Sequence, residues 1–327
     1  MKTFVFTCGD INGIGPEIVI KTLNRITRKS KDKFLFVCPE NIVLKQFKNS
    51  ELNFDYEIVS SSDYSRDVQV SVISFGNYKK SYGIPTKLSG AASLKSLEIA
   101  FNILSKSNKN AIITSPISKT AWVQAKISFP GHTELFAEWS KVKNYAMMFL
   151  SKNMKAALLT IHQPLKKVPA LINNELLNNK FELFLKTLKI DFNIKSPKIA
   201  VLGLNPHAGE NGLIGTEEKK ILVPFLKKYS ARKYFYGPYS SDGFFGMKKH
   251  QNYDLVVGMY HDQILNPFKL LNFNGGVNFT AGLPFVRTSP DHGTAFDIAG
   301  KGIADESSMV EAYKYAELVL NNRISNA

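Results

Sequence analysis

Short apolar runs alternate with polar stretches in which apolar positions recur every three or four residues, a pattern that predicts strands followed by helices. Thr3 to Cys8 reads as the first strand, and GDINGIGPEIVIK leads from it into a helix with Val19, Leu23 and Ile26 on one face. Pro16 suits the first helical turn, where its missing N–H has no intrahelical partner, and Glu17 suits the positive helix end. The runs FLFVC (34–38), VSVISF (70–75) and AIITS (111–115) predict further strands. An amphipathic helix through Leu94, Leu97, Phe101 and Leu104 precedes the last of these.

From about residue 126 the pattern restarts. Strands are expected at 145–150, 156–161, 198–205 and 254–260, and helices near 168–188 and 216–229, the latter kinked at Pro224. The alternation indicates an α/β fold with largely parallel strands and functional groups in the loops at their C-terminal ends. No repeat or low-complexity linker marks a boundary, and the final helix, about Ser308 to Asn321, can pack on either half.

Composition narrows the class. The 327 residues allow one large α/β domain or two medium ones, and the apolar and charged fractions, 44% and 21%, exclude fibrous and disordered chains. Lys and Arg exceed Asp and Glu by 42 to 27, a net +15. The excess is scattered in pairs such as Lys79-Lys80 and Lys248-Lys249 rather than gathered in one stripe with aromatics, which favours a solvated surface or steering of a small anion over nucleic acid. Cys8 and Cys38 sit in apolar runs, as buried thiols of a reducing compartment do. The first ten residues read as a mature strand rather than a leader, and no uncharged apolar run approaches spanning length, so a cytoplasmic protein is expected.

Four histidines stand just beyond expected strands: His132 in PGHTE, His162 in TIHQP, His207 in NPHAGE and His261 in MYHDQ. Imidazoles from separate strand ends can converge on one divalent metal, although each alone equally suits a structural or substrate-contacting role. GDINGIGPE fits neither GxGxxG nor a P-loop and reads either as a phosphate cradle or as a tight strand-to-helix turn. The stretch 259–300 concentrates Lys269, Asn278, Arg287, Asp291 and His292 among glycines; Arg287 can grip a carboxylate or phosphate, Lys269 can supply a point charge and Asn278 can orient an oxygen.

In order, GDINGIGPE, SPISK, PGHTE, TIHQP, GLNPHAGENGLIGTEE, GPYSSDGFF, MYHDQ, GGVN and GLPFVRTSPDHGTAFDIAGKGIA span nearly the whole chain. Together they resemble the 4-hydroxythreonine-4-phosphate dehydrogenase family of pyridoxal phosphate biosynthesis, within the isocitrate and isopropylmalate dehydrogenase-like fold. The resemblance implies a two-lobed, three-layer α/β/α architecture with the active site in the inter-lobe cleft. The first lobe is expected to be 1–125 plus 293–327 and the second 126–292, carrying most site residues. It implies metal ligands at His162, His207 and His261, and substrate contacts at His132, Thr133, Lys269, Asn278 and Arg287. Asp242 and Lys119 are expected near the proton chemistry, and His292, Gly293, Thr294 and Ala295 against the adenosine side of NAD.

The activity so implied is NAD-dependent oxidation of 4-phosphooxy-L-threonine, followed by decarboxylation, with NADP as the other candidate cofactor and zinc, magnesium or cobalt as the metal. A homodimer with active sites near the interface is also implied, acting on a small phosphorylated anion, with neither nucleic acid nor membrane as partner. Two departures stand out: GDINGIG where the family commonly has GDPAGIG, and HDQILNP where it has HDQGLP, both expected to alter loop rigidity or substrate placement. The competing readings are a related dehydrogenase of another phosphorylated or carboxylated hydroxy acid, a metal-dependent hydrolase, and a nonenzymatic phosphometabolite or nucleic-acid binder.

Overall fold

The structure, a computed structural model, describes residues 1–60, 63–229, 234–272 and 275–326. The chain divides into two compact units, Met1–Ser140 with Pro284–Ser325, and Lys141–Leu283.

The first unit opens with β1 (Thr3–Thr7), α1 (Gly15–Ile26), β2 (Lys33–Val37), α2 (Glu40–Lys48), β3 (Tyr56–Val59) and β4 (Val70–Ile73). It continues through α3 (Lys87–Leu104), β5 (Asn110–Ile113), α4 (Lys119–Gln124) and α5 (His132–Trp139). The second unit runs β6 (Ala146–Leu150), β7 (Lys155–Leu158), α6 (Val168–Leu171), α7 (Asn174–Ile190), β8 (Ile199–Leu202), α8 (Val223–Lys228) and β9 (Phe235–Tyr239). It ends with α9 (Ser241–Gly246), β10 (Leu255–Gly258), α10 (His261–Leu271) and β11 (Val277–Ala281), after which β12 (Val286–Pro290) and α11 (Ser307–Ser325) return to the first unit.

In the first unit the strands lie in the order β3-β4-β2-β1-β5-β12, every pair parallel. Except for the partly exposed edge strand β3, these strands are buried along their whole length, as parallel strands covered on both faces are. One helix group, α1, α2 and α11, and a second, α3 and α4, cover the sheet. Phe4 meets Tyr313 of α11 edge to face at 4.9 Å. Pro16 and Glu17 sit in the first turn of α1, and Glu17 accepts from Lys21 Nζ and from the Ala304 N–H, both at 2.9 Å.

In the second unit the order is β11-β6-β7-β10-β8-β9. β7, β10, β8 and β9 are parallel, but β6 runs antiparallel to both β7 and β11, so the expectation of largely parallel strands holds less well here. One face carries a core read at strand period: Met147 and Phe149, Ala156 and Leu158, Ala200 and Leu202, and Val256, against Phe244 of α9 and Ile264, Leu265 and Phe268 of α10. Phe181, Phe184, Phe225 and Phe235 form an aromatic cluster from α7, α8 and β9.

Three local expectations change. The helix expected over 168–188 is two, broken where Asn173 caps α7 by accepting from the Leu176 N–H at 2.9 Å. Before Pro224 the chain makes a π-helical turn, Glu218–Leu222, and the proline lies in the first turn of α8 instead of inside a kinked helix. Residues 126–140 and 284–292 belong to the first unit, because α5 packs Phe136 onto Phe101 and Phe285, and β12 pairs with β5. No helix among the described residues is long and apolar enough to cross a membrane.

Candidate active site

In the second unit, β10 is flanked by β7 on one side and β8 on the other, all parallel, so their C-terminal ends emerge side by side. His162 follows β7, His261 follows β10 and His207 follows β8. Pairing continues past the strand ends, with the Leu159 N–H donating to Gly258 O at 2.9 Å and Thr160 Oγ1 to Met259 O at 2.7 Å. The His162 and His261 rings are thereby brought to 6.2 Å between centroids, tilted by 34°.

Two buried side chains hold these loops: Gln263, to which the sequence gives no role, and Glu218, which it places only in a first helical turn. Gln263, 8% exposed, accepts from the Met259 N–H at 2.7 Å and donates to Gly203 O at 2.6 Å, tying the end of β10 to the end of β8. Glu218, 3% exposed, accepts from the backbone N–H groups of Leu204 and Asn205, each at 2.7 Å, and from Asn205 Nδ2 at 2.9 Å. The carboxylate anchors a turn whose backbone is left-handed from His207 to Asn211. Only Gly209 takes that conformation without strain there; His162 shares it, with φ 52°. The signal for Glu218 was present in GTEE, where a second acidic residue exceeds what one helix start requires.

Asp242, exposed in the first turn of α9, accepts from Ser240 Oγ. That bond, then the Gly243 N–H and the charge of His207, hold its carboxyl below the usual range. Held ionised, Asp242 suits orienting or attracting a cation better than donating a proton. His261 Nδ1 lies 2.7 Å from Asp262 Oδ1, which leaves Nε2 as its outward nitrogen.

Three imidazoles are a donor set suited to a borderline divalent ion. Two rings on one tetrahedral ion would sit about 5 Å apart, so His162 and His261 fall about 1 Å short of sharing one. Among the described residues no three His, Cys, Asp or Glu side chains gather closely enough to hold a metal, and His207 does not complete a triad with the other two. The donor chemistry fits; the full expected convergence is not present in this structure.

In the first unit, His132 does not follow a strand as expected but opens α5, with Thr133 buried next to it. Arg287 on β12 is 2% exposed. Its Nε and one terminal nitrogen donate to Thr114 Oγ1 at 3.2 and 2.8 Å, and that nitrogen also reaches Ser289 Oγ at 3.0 Å and His132 Nδ1 at 3.2 Å. Burial lowers the guanidinium to about 9, opposed by Glu134. Burial, then the charge of Arg287, pushes the His132 imidazole well below its usual value.

Residues His292 to Ala295 form a loop fastened to the GDINGIG turn by the Ile14 N–H, which donates to Thr294 O at 3.0 Å. A Cβ on Gly13 would lie 2.7 Å from that oxygen, so glycine is required there, whereas one on Gly293 would meet nothing within 4 Å. A backbone facing open space at Gly293 fits close approach of a cofactor. Lys119 is exposed at the start of α4; Lys269 is exposed near the end of α10, and Asn278 half-buried on β11.

The sequence profile of the pyridoxal phosphate biosynthetic protein PdxA family matches residues 30–316. The chain belongs to the PdxA family. It is 40% identical to a 4-hydroxythreonine-4-phosphate dehydrogenase of Prosthecochloris aestuarii, over 99% of each chain. It is also 37% identical, over 95% of each, to an Oceanobacillus iheyensis protein provisionally named D-threonate 4-phosphate dehydrogenase. The crystal structure of the Klebsiella pneumoniae 4-hydroxythreonine-4-phosphate dehydrogenase superposes with a TM-score of 0.81 at 33% identity, covering 98% of this chain and 100% of that one. An isocitrate dehydrogenase of Methylococcus capsulatus shares the fold at 12% identity, with a TM-score of 0.50 over 99% of this chain and 87% of that one.

Both departures from the common PdxA pattern acquire a physical role. Where GDINGIG lacks a stiffening proline, Asn12 is fully buried and clamps the 81–86 segment, donating to Ile84 O at 2.8 Å and accepting from the Ser81 N–H at 2.8 Å. The stretch HDQILNP is not a loop but the start of α10, and Ile264 is a fully buried core residue against Gly258. In this chain Asn12 fastens the turn by hydrogen bonds, and Ile264 packs against Gly258 near the start of α10.

Proposed function

We propose that this chain oxidises the C3 hydroxyl of 4-phosphooxy-L-threonine with NAD as acceptor, giving 2-amino-3-oxo-4-phosphooxybutanoate, which loses CO₂ to leave 3-amino-2-oxopropyl phosphate. The observation that carries the reading is the 40% identity, over 99% of both chains, to a relative named for this activity. Retention of the motif residues at the positions described above supports it.

His162, His207 and His261 would hold the metal, and the His292–Ala295 loop the adenosine side of the cofactor. When bound, the nicotinamide supplies a hydride acceptor and the divalent ion supplies Lewis acidity. Three imidazoles favour zinc; oxygen atoms from the substrate would complete a shell equally suited to magnesium or cobalt. His132, Thr133, Lys269, Asn278 and Arg287 would bind substrate oxygens, Lys269 as a point charge and Arg287 through its fork. Asp242, held ionised, orients the cationic side of the site, and Lys119 adds a proton-carrying group. Loss of the C3 hydrogen as hydride and of the hydroxyl proton to solvent makes the ketone; that carbonyl, β to the carboxylate, then takes the electron pair released with CO₂. The same reading implies a cytoplasmic homodimer. Sedimentation of the purified protein tests the dimer: a monomer at micromolar concentration would contradict it.

One alternative has its own support: D-threonate 4-phosphate, which carries a C2 hydroxyl in place of the amine, is the substrate named for the 37% identical relative. NADH formation by metal-loaded protein on the two substrates decides between them. Turnover of 4-phosphooxy-L-threonine with the higher kcat/KM is expected. Turnover of D-threonate 4-phosphate alone would replace this assignment.

A further inference from the structure

Asn12 is fully buried in the GDINGIG turn, and its amide has one acceptor and two donor hydrogens, all engaged. The side-chain oxygen accepts from the Ser81 N–H at 2.8 Å, while Nδ2 donates to Ile84 O at 2.8 Å and to Thr86 Oγ1 at 3.3 Å. Its backbone oxygen accepts from the Gly83 N–H at 2.9 Å, and its own N–H donates to Asp10 Oδ1 at 2.9 Å. Residues 81–86 are thus fastened to the turn by one residue, and Thr86 then caps α3. The same segment presses against residues 292–300. A Cβ on Gly83, where φ is +74°, would lie 2.9 Å from Phe296 O, and one on Gly300, where φ is +81°, would lie 2.7 to 2.9 Å from ring atoms of Tyr82. The turn itself reaches that loop through the Ile14 N–H, 3.0 Å from Thr294 O. The loop is therefore held at Thr294, Phe296 and Gly300, while Gly293 faces open space.

We propose that Asn12 is a positioning residue for the dinucleotide: by fixing residues 81–86 it makes them a brace that keeps the 292–300 loop in the one shape that receives the adenosine side of the cofactor. For the ligand's identity this rests on the function proposed above. Asn12 acts through Gly83 and Tyr82, at backbone contacts too close to allow the brace to move without the loop. A loop ordered in advance lowers the cost of binding, so losing the brace reduces affinity for the cofactor and leaves the chemical step alone.

Calorimetric titration of NAD into the zinc-loaded, full-length protein, with amide hydrogen exchange alongside, tests this without turnover. Asn12→Ala should weaken NAD binding about tenfold and speed exchange at the Gly83 and Ile14 N–H groups. Gly83→Ala leaves Asn12 in place and disturbs the Phe296 contact from the other end of the brace; it should weaken binding about fivefold. Because both substitutions act on one brace, the double variant should bind no more than about twofold more weakly than Asn12→Ala. In turnover, KM for NAD should rise about tenfold in Asn12→Ala, with kcat and KM for the phosphorylated substrate within about threefold of the parent. A folded Asn12→Ala protein that binds NAD as the parent does, or effects that simply add in the double variant, overturns the proposal and leaves the proposed activity standing. A parent protein that binds neither NAD nor NADP overturns the cofactor reading and the positioning role together.

Discussion

His132 and the three expected metal ligands are the same residue type placed in opposite ways. In the first unit, His132 is 8% exposed, its Nδ1 is held by Arg287, and two aromatic rings fix its plane. In the second, His162, His207 and His261 are exposed, two of them on left-handed backbone, and they do not gather into a three-ligand cluster. Packing and the Arg287 contact fix the first ring, although its Nε2 has no hydrogen-bond partner among the described residues. The second holds the loops through Gln263 and Glu218, while its imidazoles stay apart; in the proposed function a bound metal would draw them together. Backbone strain near a site of this kind is retained because the surrounding structure over-determines it.

The contrast is most easily broken by removing the metal. Chelation is expected to lower NADH formation at least about a hundredfold, since Lewis acidity supplies several kcal/mol, while the melting temperature moves little because these histidines lie outside the core. Arg287→Met should behave in the opposite sense, destabilising the chain by about 3 kcal/mol in denaturant melts. It strands Thr114 Oγ1, Ser289 Oγ and His132 Nδ1 without their shared donor.

Stability should also fall as pH drops below the usual histidine value of 6.5. His132 is held below that value when folded, so the unfolded chain binds the extra proton across the window between the two pKa values. The stabilisation is full above 6.5 and declines by at most about 1.4 kcal/mol per pH unit inside the window. His132→Gln, followed by urea melts at several pH values, should flatten that slope. The smallest effect on stability is expected from His162→Gly, which relieves the positive φ of 52° and should stabilise the metal-free protein by up to about 1 kcal/mol. A loss of stability there would mean that the His162 side chain packs structurally.

Much of the fold was legible because its signals are local. The strand and helix runs of the first unit have apolar periods and capping residues that need no tertiary information, as at Pro16 and Glu17. The stretch 259–300 was not legible as structure. Its glycines and charged residues masked α10, β11 and β12, and helix formation there depends on burying Ile264, Leu265 and Phe268 against the sheet. The boundary between units shifted for a similar reason: α5 belongs with Phe101 and Phe285, a contact between residues far apart in the chain. Motif order pointed to His162 and His261, which the structure brings to neighbouring strand ends, but gave no sign of Gln263 or of the Arg287–Thr114–Ser289 network. Those roles depend on which side chains meet across strands, and spacing along one chain does not encode that.

Titrating zinc into ¹⁵N-histidine-labelled protein while recording the imidazole resonances tests the contrast directly. The account predicts that His162, His207 and His261 shift together and saturate at one ion per chain while the His132 resonances do not move. Movement of His132 with the metal, or zinc binding that leaves the other three unchanged, would contradict it.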